Sequence, residues 1–274
     1  MSDCTCYTVI SRDVNLLRWC VDNARSRAGI DHAWLVCGWN PTDAILKECE
    51  LLGVPCVPHE LPDKPGFRAH PDQQTRWFLK CLYKMWNVGY EHAKTKWVVR
   101  MGSDQFFSKN WLKNLMEAAE KYGERGIYHT WTVESNFAKH SRHETRNWGT
   151  SWQEFNQLQF DLYADDLIYR TGSTKALPGR ECNLWYQHPA RGKQTRPDGV
   201  TWLQTKELWE EFGPMEDVLN DEKVTGDVAY MDRLYDGVAA DGSKVDPVPG
   251  FLVPRSISYH LVQSEARQSV ARVL

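Results

Sequence analysis

The sequence predicts an α/β fold: a mainly parallel sheet with helices on both faces. Three observations carry this expectation. Short apolar segments alternate with stretches whose apolar residues recur at helical spacing. The connections between them are polar and punctuated by Gly, Pro, Asn or Asp. The resulting order, β-α-β-α-β-α-β, is the one that parallel strands with crossover helices produce.

Each element has its own justification. Cys6-Tyr7-Thr8-Val9-Ile10 reads as a buried strand ending at the polar Ser11-Arg12-Asp13. A helix is expected from about Asn15 to Arg27, with Leu16, Leu17, Cys20, Val21 and Ala24 on one face. Ala33 to Cys37 forms the second strand and leads into Gly38-Trp39-Asn40-Pro41. Thr42 is placed to cap the next helix, whose face is Ile45, Leu46, Cys49 and Leu52, and Gly53 to end it. Val54 to Val57 is the third strand. After a loop holding Pro62, Pro65 and Pro71, a long helix is expected over about Gln74 to Ala93. Trp97-Val98-Val99 is the fourth strand, and Trp111 to Tyr122 another helix. Farther on, Val200 to Leu203 regains regularity, Lys206 to Phe212 is helical with a stop at Gly213-Pro214, and Thr225 caps a helix reaching Leu234. Ser256-Ile257-Ser258-Tyr259-His260 alternates as a strand does.

The bulk properties fit one large domain. The chain has 274 residues, 42% hydrophobic and 25% charged, with a formal net charge of −3. That charge argues against a protein coated with polyanion, though not against a local basic groove. The 13 tryptophans suggest stacking surfaces as well as core. Eight cysteines, with no C-x-x-C pair, sit mostly in apolar runs and read as buried thiols rather than metal ligands. A basic segment followed by an apolar run is lacking at the N-terminus, and no apolar stretch approaches the roughly 20 residues that span a bilayer. A cytoplasmic setting without membrane insertion is therefore the default expectation.

In open parallel sheets ligands bind beyond the carboxyl ends of the strands. Arg12-Asp13, Gly38-Trp39 and Asp104 all fall at such ends, so a site is expected there.

The run from Asn87 to Leu112 then gives the site a chemistry. It reads Trp86-Asn87-Val88-Gly89, Ala93, Trp97-Val98-Val99, Gly102-Ser103-Asp104-Gln105, Asn110-Trp111-Leu112. This resembles the nucleotide-binding half of family 2 glycosyltransferases, enzymes of the GT-A fold, in which R-N-x-G precedes an apolar strand, D-x-D-D and W-L. Gly102 stands where that pattern has its first Asp, Gln105 where it has the following one, and Trp86 where Arg is usual. The resemblance covers about residues 5 to 125 and 197 to 262, in order and spacing more than in identity.

The resemblance implies a metal-assisted transfer from a nucleotide-sugar, with a UDP-sugar as the commonest donor. Asp104 would hold Mn²⁺ or Mg²⁺ against the diphosphate, with His260 as a second ligand. Ser11, Arg12, Asp13, Gly38 and Trp39 would occupy the base and ribose side, Trp39 by stacking. Asn87, Gly102 and Ser103 would complete the donor site. Asp227, in Thr225-Gly226-Asp227, would be the general base that deprotonates the acceptor hydroxyl. Other readings stay open at this point. Asp104 could instead only cap the turn before Ser108, and Asp227 could be an N-terminal helix residue favoured by the dipole. A non-catalytic sugar-nucleotide-binding module also fits. A nucleotidyltransferase fits less well, because Ser11-Arg12-Asp13-Val14 has no glycine.

From about 134 to 196 the periodicity weakens, and an acceptor-binding insertion within the single 1–274 domain is expected. Nine basic and six acidic residues fall between Lys139 and Arg196, interleaved with Trp148, Trp152, Phe155, Tyr163, Trp185 and Tyr186. Basic residues with stacking aromatics suit a nucleic-acid acceptor. Phage-type enzymes that glycosylate hydroxymethylated pyrimidines in double-stranded DNA are the concrete expectation. A polysaccharide or lipid-linked glycan acceptor is the alternative.

Overall fold

The computed structural model describes residues 3–62, 71–135, 144–171, 186–187, 194–195, 201–215 and 226–261. Within them the chain runs β1 (Cys4–Ile10), α1 (Val14–Ser26), β2 (Ala33–Trp39), α2 (Asp43–Leu52), β3 (Cys56–His59), α3 (Pro71–His92) and β4 (Trp97–Met101). It continues through β5 (Gln105–Phe107), α4 (Trp111–Tyr122), β6 (Ile127–Ser135), β7 (Glu144–Arg146) and α5 (Gln157–Thr171). The last elements are β8 (Tyr186–Gln187), β9 (Gln194–Thr195), β10 (Trp202–Thr205), α6 (Lys206–Phe212), α7 (Gly226–Asp236) and β11 (Gly250–His260).

The expected α/β architecture is present. One sheet runs in the order β3-β2-β1-β4-β10-β6-β11-β5, with β7 added beside β6. The four strands β3, β2, β1 and β4 are parallel, as are β6 and β11; β10 and β5 run antiparallel to their neighbours. Strand β1 explains why both faces are covered. Cys4, Cys6 and Ile10 enter one core with α1, α2, α4 and α5, while Tyr7 and Val9 enter a second with α3, α6 and α7. A strand apolar on both sides needs a helical layer on each.

Local chemistry sets several boundaries where the sequence put them. The Thr42 hydroxyl accepts from the Ile45 N–H, and Gly53 ends α2 in the left-handed region at φ 62°. The Thr205 hydroxyl caps α6 by accepting from the Leu208 N–H. The expected Thr225 cap lies outside the described residues.

Strand β5 is the departure that matters for function. Only Gly102, Ser103 and Asp104 separate it from β4, yet it pairs with β11 at the other end of the strand order. Four strand spacings on a flat sheet amount to about 19 Å, whereas four residue steps reach about 14 Å. The sheet must therefore curl, carrying β11 toward the end of β4.

The region expected to form an insertion is partly core. Helix α5 buries Phe160, Ala164 and Leu167 in the same core as α1 and β11. Trp148 and Phe155 pack on Tyr259, with ring centroids 5.1 and 5.4 Å apart. Trp185 and most of the basic residues of 139–196 lie outside the described residues.

Candidate functional site

The curl builds the site. In the β5–β11 ladder His260 is opposite Gln105, and the Leu261 N–H donates to the Asp104 carbonyl at 2.9 Å. Asp104 and His260, 156 positions apart in the chain, thus come together, with Nε2 of His260 3.4 Å from Oδ2 of Asp104. The turn itself is held by Gln105, whose Oε1 accepts from the Gly102 N–H at 3.0 Å and from the Thr201 hydroxyl. The residue replacing a carboxylate in the expected motif is therefore the one that shapes the loop.

A third ionisable group stands on the far edge of the imidazole. Glu134, near the end of β6, lies level with His260 in the parallel β6–β11 ladder, and its Oε1 is 3.1 Å from His260 Nδ1. Both carboxylates are largely buried, at 8% and 9% residue exposure for Asp104 and Glu134. Burial by itself pulls the His260 pKa down, but the charge and hydrogen bond of Asp104, then those of Glu134, outweigh it and raise it to about 9.

The Asp104 and His260 side chains fit a divalent cation. A carboxylate oxygen and an imidazole nitrogen form a mixed donor set suited to Mn²⁺ as well as Mg²⁺. Their 3.4 Å separation is near the spacing of adjacent octahedral corners, about 3 Å for bonds of Mg²⁺ length. Among the described residues no group of three or more His, Cys, Asp or Glu forms a metal cluster. The pair would supply two ligands to such a cation.

The remaining expected residues take distinct positions. Ser11, Arg12 and Asp13 follow β1, and Asp13 Oδ1 caps α1 by accepting from the Leu16 N–H at 2.9 Å. Gly38 and Trp39 end β2. Trp39 is 8% exposed and packs on Trp77 and Phe78, so its ring is a wall rather than an open stacking plate. Asn87 ties α3 to the segment after α6: its Nδ2 donates to the Met215 carbonyl and its Oδ1 accepts from the Met215 N–H. Gly102 and Ser103 precede Asp104 in the turn and are half-buried. Asp227 stands in the first turn of α7 and accepts from the Tyr83 hydroxyl of α3 at 3.0 Å.

Sequence reasoning missed Glu134, Gln105 and Tyr83 as parts of this arrangement. The signal for Glu134 is weak: a lone acidic residue at the place where the periodicity fades. Arg100 on β4 was also missed. It is fully enclosed, with its guanidinium between the rings of Trp86 and Trp202 at 3.6 and 3.4 Å from their centroids.

Residues 82–177 match the family described as Glycosyl transferase family 2. No curated protein matches the chain in sequence. Among solved structures, the chain is similar to a mannosyltransferase from Pyrobaculum calidifontis, solved with GDP-Man and Mn²⁺. The two share 12% identity at a TM-score of 0.49, over 96% of this chain and 58% of that one. The chain thus spans less than two thirds of that enzyme's length. It is also similar to glucosyl-3-phosphoglycerate synthase from Mycobacterium tuberculosis, solved with Mn²⁺, UDP-Glc and phosphoglyceric acid. There the identity is 13% and the TM-score 0.44, over 100% of this chain and 79% of that one. The family match and the strand topology put the fold in the GT-A class of α/β proteins. Among the described residues no helix is long and apolar enough to cross a membrane.

Proposed function

We propose that the protein is a metal-assisted glycosyltransferase that moves a sugar from a nucleotide-sugar, a UDP-sugar being the expected donor, to a hydroxyl acceptor. The observation that carries this reading is the approach of Asp104 and His260 to 3.4 Å at the turn leaving β4. Asp104 falls in the stretch of chain that matches family 2, and the sheet brings His260 to it from beyond that stretch.

In this reading Asp104 and His260 hold a divalent cation beside the donor diphosphate. When bound, the cation supplies Lewis-acid stabilisation to a leaving group whose negative charge grows as the sugar bond breaks. The acceptor hydroxyl attacks the anomeric carbon, the bond to the diphosphate oxygen breaks, and Asp227 takes the hydroxyl proton. The hydrogen bond from Tyr83 keeps the Asp227 carboxylate oriented. Ser11, Arg12 and Asp13, with Gly38 and Trp39, form the base and ribose side. Gly102 and Ser103 bring backbone close to the phosphates, and Asn87 fixes α3 behind them.

The acceptor class rests on charge. Nine basic against six acidic residues between 139 and 196 support an anionic acceptor, and hydroxymethylated pyrimidine in DNA is the class we carry forward. Trp148 and Phe155 no longer support it by stacking, since both are packed on Tyr259.

Nucleotide release from a panel of UDP- and GDP-sugars, with and without Mn²⁺, tests the reaction. Turnover that needs Mn²⁺ and is lost in Asp104→Ala is the expected result; full turnover in chelator would overturn the metal-assisted reading. Tight donor binding with no turnover on any acceptor would favour a binding module instead. A gel shift on hydroxymethylated and plain duplexes over a range of salt tests the acceptor. A salt-dependent shift of the hydroxymethylated duplex is the expected result; no shift of either duplex at low salt would remove DNA from consideration.

A further inference from the structure

The His260 imidazole is held from both edges, and the two edges have different jobs. Asp104 faces Nε2 at 3.4 Å and Glu134 faces Nδ1 at 3.1 Å. The ring nitrogens point in divergent directions, so a cation shared by Asp104 and Nε2 lies away from the Glu134 carboxylate. Glu134 is therefore not a further ligand of that cation.

We propose that Glu134 is a positioning residue, whose carboxylate holds the Nδ1–H of His260 so that Nε2 is the nitrogen presented to Asp104 and the cation. The inference rests on the metal-assisted reading above and assigns a role to a residue that the sequence motifs did not single out.

Three features support it. A carboxylate only accepts, so the Nδ1 facing Glu134 keeps its proton, and Nε2 is the nitrogen left to give a lone pair once a cation takes the place of its proton beside Asp104. Glu134 is rigidly placed. Its backbone is level with His260 on one side and with Thr145 of β7 on the other. Its neighbours along the strands are polar too: Ser258, two residues before His260, bonds Thr130 at 2.9 Å and Thr132 at 3.4 Å through its hydroxyl. Glu134 thus belongs to a polar ridge between β6 and β11 that aligns the imidazole along the strand. Without it, the ring can turn over about its Cβ–Cγ bond and present carbon where Nδ1 stood, and the tautomer is no longer fixed. Carboxylates that orient metal-bound histidines in this way typically contribute about 10–100-fold to metal affinity.

The test compares wild type, Glu134→Ala, Glu134→Gln, Asp104→Ala and His260→Ala. Mn²⁺ affinity is measured by calorimetry in the presence of UDP, and the fold is checked by thermal melting. Histidine ¹⁵N–¹H spectra of the Mg²⁺–UDP complex, which is diamagnetic, report the tautomer of His260 independently of turnover. Glu134→Ala should bind Mn²⁺ about 10–100-fold more weakly. Glu134→Gln, whose amide oxygen accepts the same hydrogen bond, should recover most of that loss. The wild-type spectrum should show the proton on Nδ1. Mn²⁺ affinity unchanged in Glu134→Ala but lost in Asp104→Ala would overturn the role of Glu134 and leave the metal site standing. Affinity unchanged in Asp104→Ala and His260→Ala would instead overturn the metal site, and with it this inference. Should Glu134→Ala fail to fold, the wild-type spectrum decides: a proton on Nδ1 supports the proposal, and a proton on Nε2 overturns it.

Discussion

A Cβ on Gly89 would fall 2.1 Å from Cε2 of Tyr7. The Tyr7 ring, fully buried on β1, lies against α3 at that helix's single glycine and donates from its hydroxyl to the Trp86 carbonyl at 2.9 Å. Gly89→Ala gains up to about 1 kcal/mol of helix propensity. It also forces the ring and the helix apart, and overpacking of this kind costs about 1–3 kcal/mol. A melting temperature a few degrees below wild type is expected. One at or above wild type would contradict the close contact.

Arg100 should tolerate lysine poorly. Burial lowers its pKa, and its planar guanidinium is stacked between Trp86 and Trp202. Lysine keeps the charge and loses the stack. We expect Arg100→Lys to lower the urea midpoint at unchanged slope, by an amount equivalent to about 2 kcal/mol. A wild-type midpoint would show that the stack adds nothing.

The α1–α2 contact should weaken in acid. Two hydrogen bonds of 2.7 Å from Arg18 hold the Glu48 pKa below its ordinary value of 4.5, outweighing the opposing effect of burial. A carboxylate depressed in the folded state stabilises the fold above its unfolded pKa, and that stability is lost as pH falls through the folded value. Melting curves of Glu48→Gln should lie below wild type at neutral pH and converge with it below pH 4.5. Parallel curves throughout would remove the ion pair as the cause.

Asp227→Asn should separate proton transfer from donor binding. Nucleotide release to acceptor should fall about 10²–10⁴-fold, with the KM for donor and the melting temperature close to wild type. Tyr83→Phe should give a smaller loss in the same direction, since it removes the hydroxyl that orients the carboxylate and leaves the carboxylate in place. A donor KM that rises with no change in kcat would assign Asp227 to donor binding instead.

Much of this was legible in the sequence, and the remainder was not for physical reasons. The first four strands and their helices declared themselves because both faces of each parallel strand meet hydrocarbon. The pairing of Asp104 with His260 followed from the order of motifs. Strand β6 was hidden because part of its buried surface is a ridge of hydroxyls, Thr130 and Thr132 against Ser258, which reads as polar loop. Helix α5 was hidden for the opposite reason. Its buried stripe, Phe160, Ala164 and Leu167, is blurred by exposed Leu158 and Leu162. Glu134 stands next to the end of the first of these concealed elements, and no spacing rule connects it to His260.

The curl of the sheet also decides when the site comes into existence during folding. Strands β1 to β4 can form from local βαβ units, but Asp104 meets His260 only after the last strand has docked between β6 and β5. Pairings of such long sequence separation close late, because the loop entropy must be overcome first. A partly folded chain would therefore hold one carboxylate and no partner imidazole. If Asp104 and His260 hold a cation as proposed, its binding should report completion of the whole sheet.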